Sequence, residues 1–181
     1  MQVTFKILRF NPETDQEPHF EEYRFEGHPN MTVLDCLHKI KWEHDGSLAF
    51  RRSCAHGICG SDGMRINGRN HLACSTLLKD INTKKTVVIE PLPALPIVKD
   101  LILDMTDFYE KYKAVKPYLI NTSPVSEDSE RLQSNEDAEK LFESAKCILC
   151  ACCTTSCPST WTNNNYIGPA ALLKAYRFVF D

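Results

Sequence analysis

Cysteine placement constrains this chain more than any other feature. Nine of its 181 residues are cysteine, and five of them crowd into "CILCACCTTSC", residues 147–157. The total is odd and the spacing is tight, both of which speak against a disulfide framework. In a reducing compartment such clusters bind metals or carry out redox chemistry. A fold built for that purpose must present thiolates from loops while an ordinary core holds the loops in place.

The sparser set lies in "RRSCAHGICGSDGMRINGRNHLAC". Cys54 and Cys59 have four residues between them, Asp62 stands three after Cys59, and Cys74 follows at a distance. Plant-type [2Fe–2S] ferredoxins use C-x4-C-x2-C and a remote fourth cysteine. Here the third ligand position holds Asp62. Aspartate is ionised at neutral pH and supplies one negative charge, as a thiolate does. It is a harder donor than sulfur, so it binds one iron less covalently. Gly57, Gly60 and Gly63 let the loop take left-handed dihedrals and turn N–H groups towards the sulfurs. Arg51 and Arg52 either offset the cluster's charge or are solvated surface. His56 and His71 read as loop or surface residues, because a Rieske-like site needs another spacing.

In the denser set, Cys147, Cys150, Cys153 and Cys157 form C-x2-C-x2-C-x3-C, followed by Pro158. This is the bacterial ferredoxin run, in which three cysteines hold one cluster and the fourth holds another. Cys152 is out of phase and reads as a packed thiol. Three cysteines leave a [4Fe–4S] cluster one ligand short, and Cys157 alone cannot hold a second. Cys157 completing the first cluster is the alternative.

The rest of the sequence sets the frame. Its 43% hydrophobic and 25% charged content is that of a globular protein of one or two domains. A net charge of −3 argues against a nucleic-acid partner. No apolar run approaches the roughly 18 residues of a membrane span. "MQVTFKILRF" alternates like a strand, and no signal or transit peptide is expected, which suggests a prokaryotic cytoplasmic setting. Residues 1–98 read as a β-rich domain with one helix. "QVTFKILRF" and "EEYRFEG" are a hairpin, "TVLDCLHKIKWEHD" is a helix with Thr32 and Asp35 as a capping box, and "KTVVIEPL" is a last strand. Cys36 sits within the helix as a small core residue. Prolines 91, 93 and 96 mark a candidate linker. Beyond it, 99–181 reads as helical, with helices over "KDLILDMTDFYEKYKAV", "NEDAEKLFESAK" and "GPAALLKAYRFVF", and the polar loop "NTSPVSEDSERLQS" between the first two.

With both constellations in order, the chain resembles the iron–sulfur subunit of succinate dehydrogenase and fumarate reductase. The matching stretches are "RRSCAHGICGSDGMRINGRNHLAC", "VIEPLPALPIVKDLILDM", "AVKPYL", "SERLQS", "CILCACCTTSCPSTW" and "YIGPAALLKAYRF". The resemblance implies an α+β chain: an N-terminal β-grasp, ferredoxin-like domain over 1–98 and an incomplete helical ferredoxin-like domain over 99–181. It implies [2Fe–2S] on Cys54, Cys59, Asp62 and Cys74, [4Fe–4S] on Cys147, Cys150 and Cys153, and [3Fe–4S] on Cys157. The family's chain continues past the point matching Asp181, and that extension carries the remaining ligands. Pro158, Ser159 and Trp161 would line a quinone pocket, although Trp161 serves equally well as core. Thr162 replaces a second tryptophan that many members have, which alters the aromatic wall of that pocket.

The function implied is electron transfer without a bond-making site in this chain. A partner flavoprotein with FAD would oxidise succinate or reduce fumarate. Membrane-anchor subunits would carry quinone and, where present, haem b. The chain would sit peripherally on the cytoplasmic face of a prokaryotic inner membrane. The main rival is a ferredoxin-type carrier subunit of another flavin-dependent oxidoreductase, and the third class is a zinc-binding scaffold.

Overall fold

The computed structural model describes residues 1–122, 124 and 130–180. The middle of the polar loop "NTSPVSEDSERLQS" and the final Asp181 lie outside the described residues.

Strand β1 (Gln2–Arg9) buries alternate side chains, Val3, Phe5, Ile7 and Arg9, as a period of two demands. It pairs antiparallel with β2 (His19–Glu26) in a register running from Gln2 opposite Glu26 to Arg9 opposite His19. Helix α1 (Val33–Glu43) begins at the expected capping box. Thr32 Oγ1 accepts from the Asp35 N–H at 3.0 Å, and Asp35 Oδ2 accepts from the Thr32 N–H at 2.8 Å. Its apolar face, Val33, Leu34, Leu37 and Ile40, packs on the sheet together with Cys36. Burial pushes the Cys36 thiol up to about 12, which suits a core residue.

Strands β3 (Gly63–Ile66), β4 (Arg69–Leu72) and β5 (Val87–Glu90) complete a five-stranded sheet in the order β2-β1-β5-β3-β4. Only the β1–β5 pair is parallel. A mixed sheet gripping one helix is the α+β, β-grasp arrangement the resemblance implies.

After β5 the sequence expectation needs correcting. The proline-bearing stretch is extended but packed. Leu92 is buried in a second core, with Leu95 and Ile97 against it. The expected helix over "KDLILDMTDFYEKYKAV" begins later. Its first residues, 99–105, hold instead the last residue of β6 (Ile97–Lys99) and the whole of β7 (Ile102–Leu103), and α2 spans Thr106–Ala114. The cause is Asp100, 1% exposed and left-handed at φ 47°, which turns the chain between the two strands. Its carboxylate accepts from Arg9 Nε at 3.0 Å and from the N–H groups of Phe10 and Ala49. Arg9 also bonds Glu21, Tyr23, Asp45 and Ser47. Burial works against the Arg9 charge, but the bonds to Asp45 and Asp100 outweigh it and hold its pKa above the ordinary value. A buried charge network of this kind outcompetes helical periodicity.

The remaining elements are α3 (Asn135–Ala145, capped by Ser134), α4 (Cys152–Thr155), α5 (Pro158–Thr162) and α6 (Pro169–Val179). Pro169 opens α6 at its first turn, where a missing N–H costs nothing. Helix α6 packs on α2, α3 and α4 and so closes over the dense cysteine loop. Among the described residues no helix is long and apolar enough to cross a membrane.

Candidate functional site

The first cysteine set is gathered by the loop between α1 and β3 and by the open end of the β3–β4 hairpin. Gly63 pairs with Leu72, so the residues just beyond that rung, Asp62 and Cys74, are held side by side. Asp62 Oδ2 accepts from the Cys74 N–H at 2.6 Å. Asp62 is 3% exposed, and its Oδ1 is buried without a hydrogen-bond partner. A buried carboxylate oxygen left open is costly unless a cation meets it. That is the feature expected of a metal ligand.

Cys54 lies in a nest of N–H groups. Its Sγ accepts from Cys59 at 3.3 Å, Ile58 at 3.4 Å and His56 at 3.5 Å. These donors lower the Cys54 thiol to about 6, with His56 contributing most. Left-handed backbone at Ala55 (φ 58°), Gly57 (φ 82°) and Gly60 (φ 68°) aims them. Cys59 is exposed, with Ser61 Oγ at 3.1 Å from its Sγ. Cys74 is buried, and burial together with the neighbouring Asp62 carboxylate pushes it up to about 11. Placed against iron, these thiols would give up their protons. Arg51, Arg52, His56 and His71 are all exposed.

The second set occupies one irregular loop. Leu149 (φ 56°) and Ala151 (φ 62°) take left-handed backbone at alternate positions between the cysteines. For residues with a Cβ this costs about 1–3 kcal/mol each, which persists only where surroundings impose it. Cys150 and Cys152 divide a proton unequally. The Cys152 thiol holds Cys150 down to about 6, while bonding to Cys150 and burial drive Cys152 well above a normal thiol. Cys152 packs against the second core, as a non-ligand does. Cys153 is exposed. Cys157 caps α5, and the Thr160 N–H lowers its thiol. Among the described residues no three Cys, His, Asp or Glu side chains converge as they would on a single ion. A cluster spreads its ligands over several irons and needs no such convergence.

Sequence reasoning missed how closely the two sets lie. A Cβ built on Gly60 would fall 2.8 Å from Cys150 Cβ and 3.0 Å from the Ile148 carbonyl oxygen. On Gly63 it would meet the Cys150 oxygen at 3.0 Å and Cys152 Sγ at 3.3 Å. Gly63 was expected to supply a left-handed dihedral. It does not, and its role is clearance, since a side chain there would lift one loop off the other. Asn70 on β4 ties them further, with Nδ2 donating to the Cys152 carbonyl at 3.2 Å and to Thr155 Oγ1 at 2.9 Å. The glycine spacing in "CGSDG" is a signal for close approach, but it does not name the partner.

Pro158, Ser159 and Trp161 are exposed on α5. The Trp161 indole donates to the Thr155 carbonyl at 2.8 Å and stands 55% exposed, so it is surface and not core. It lines a cleft of about 790 Å³ together with Arg65, Arg69 and His71. Pro158 and Ser159 do not line that cleft.

Residues 4–110 match the family described as "2Fe-2S iron-sulfur cluster binding domain". A succinate dehydrogenase iron-sulfur subunit from Coxiella burnetii is 50% identical over 182 aligned positions, 99% of this chain and 76% of the relative. The mitochondrial succinate dehydrogenase [ubiquinone] iron-sulfur subunit of Candida glabrata is 50% identical over 181 positions, 98% of this chain and 71% of the relative. Among solved structures, a chain of the Mycobacterium smegmatis Sdh1 complex in the apo form superposes with a TM-score of 0.86 at 26% identity. That match covers 98% of this chain and 75% of the other.

Proposed function

The chain belongs to the family of succinate dehydrogenase iron–sulfur subunits, and on that premise we propose that it relays single electrons between an FAD flavoprotein subunit and membrane quinone. It is a subunit of an oxidoreductase complex, and its cofactors are [2Fe–2S], [4Fe–4S] and [3Fe–4S] clusters. Bound clusters take up and release single electrons without making or breaking bonds in substrate.

The chain's residues hold and tune them. Cys54, Cys59, Asp62 and Cys74 hold the [2Fe–2S] cluster. Cys147, Cys150 and Cys153 hold [4Fe–4S], Cys157 holds [3Fe–4S], and ligands beyond these four cysteines complete both. The N–H nest around Cys54 stabilises negative charge on sulfur. The [2Fe–2S] half, 1–98, and the helical half, 99–181, meet within the packed stretch 91–103, where β6 crosses the 98/99 boundary. Pro158, Ser159 and Trp161 face quinone and a membrane-anchor subunit, with haem b where that subunit carries it, on the cytoplasmic face of the membrane. Trp161, exposed beside a cleft, supports this part of the reading.

One observation carries the relay: Gly60, next to ligand Cys59, abuts Cys150 of the second set. Two redox centres whose ligand loops touch are arranged for direct exchange. Purifying the complex from membranes tests the proposal. The expected result is co-purification with an FAD protein and succinate-dependent quinone reduction. A partner without flavin, or a complex that leaves succinate untouched, would overturn it.

A further inference from the structure

Lys174 of α6 is 5% exposed, an unusual position for an ammonium group. Its Nζ donates to the carbonyl oxygen of Cys147 at 3.2 Å. Among the described residues no carboxylate lies within ion-pair distance of it. Among the described residues the other buried charges are either matched, Arg9 by Asp100, Asp45 and Glu21 and Asp100 by Arg9, or, like Asp62, already placed among the cluster ligands. A buried, unpaired cation is strongly unfavourable, so something negative must meet it. The nearest named chemistry is the Cys147, Cys150 and Cys153 loop over which α6 closes.

We propose that Lys174 is the counter-charge of the cluster held by that loop, a positioning residue that raises its reduction potential. The inference rests on the reading that these three cysteines hold a cluster. Each thiolate contributes a negative charge, and reduction adds one electron with no bond formed or broken. A fixed positive charge in a low-dielectric interior therefore favours the reduced form over the oxidised one. The carbonyl bond to Cys147 holds the ammonium against the ligand loop, so the charge acts at short range. Neighbouring Leu172 and Leu173 are surface residues of the same helix and carry no such role.

The test is a potentiometric EPR titration of the intact complex carrying Lys174→Met, Lys174→Gln or Lys174→Arg. In the Met and Gln variants the ratio of reduced to oxidised [4Fe–4S] cluster at fixed ambient potential should fall about tenfold, a shift of about 59 mV to lower potential for one electron. Lys174→Arg should stay near the unaltered value, and the [2Fe–2S] midpoint should not move in any variant. An unshifted [4Fe–4S] midpoint in Lys174→Gln overturns the inference while leaving the cluster assignment standing. Lack of any [4Fe–4S] signal in the unaltered complex overturns the assignment itself. Should Lys174→Met fail to assemble, Gln and Arg decide the matter, since both keep a hydrogen-bond donor and only Arg keeps the charge.

Discussion

Asp62 is where the chain departs from an all-thiolate site and where the structure is most informative. Its spacing identified it as a ligand position, but only the fold shows Oδ1 buried and unpartnered while Oδ2 is held by the Cys74 N–H. Asp62→Cys should keep the [2Fe–2S] cluster and change its EPR g-values and midpoint. An unchanged spectrum would mean that Asp62 is not bound to iron. Gly60 makes the opposite point. Its left-handed φ was readable from the loop chemistry, yet its contact with Cys150 was not, because that partner lies far along the sequence. Gly60→Ala adds a Cβ where none fits and strains the backbone as well. It should cost about 1–3 kcal/mol, seen as lowered protection of the 147–153 amides in hydrogen exchange, and should slow electron transfer between the two clusters.

Single elements were legible wherever one local rule decided them. The capping box of α1, Pro169 at the start of α6 and the alternation of β1 all follow from near neighbours. Thr32→Ala should cost about 1 kcal/mol of helix stability, read from amide exchange in α1. The error over residues 99–105 has a long-range cause. Arg9 and Asp100, far apart in sequence, recruit each other and convert a helical pattern into a hairpin. Arg9→Met strands the Asp100 carboxylate in the core, so β1 opening should become easier by about 3–5 kcal/mol. The same network gives a pH dependence. Burial alone would raise the Asp45 pKa, but bonds from Ser47 and Arg9 lower it below its ordinary 3.8. A carboxylate depressed in the folded state adds stability that is complete above 3.8 and lost as pH falls through the lower folded value. Asp45→Asn should therefore remove part of the acid-induced loss of β1 protection.

At the scale of the whole molecule, two cysteine sets separated by about half the chain become neighbours. Two sequence signals announced them as sites, and neither announced their adjacency. That adjacency arises because α6 closes the dense loop from one side while the β3–β4 hairpin and Asn70 receive it on the other. The stretch 91–103 is the seam. It sends Leu92 and Leu103 into the second core and Leu101 into the first, so the two halves are packed together and not strung on a free linker. A seam of this kind fixes the distance between redox centres, which a flexible connection would not.

The central claim is that electrons from succinate reach the clusters of this chain. Freeze-quench EPR of the purified complex after mixing with succinate tests it most directly. The account predicts reduced-cluster signals that appear with flavin reduction and decay when quinone is added. Reduced flavin with clusters that stay oxidised would contradict it.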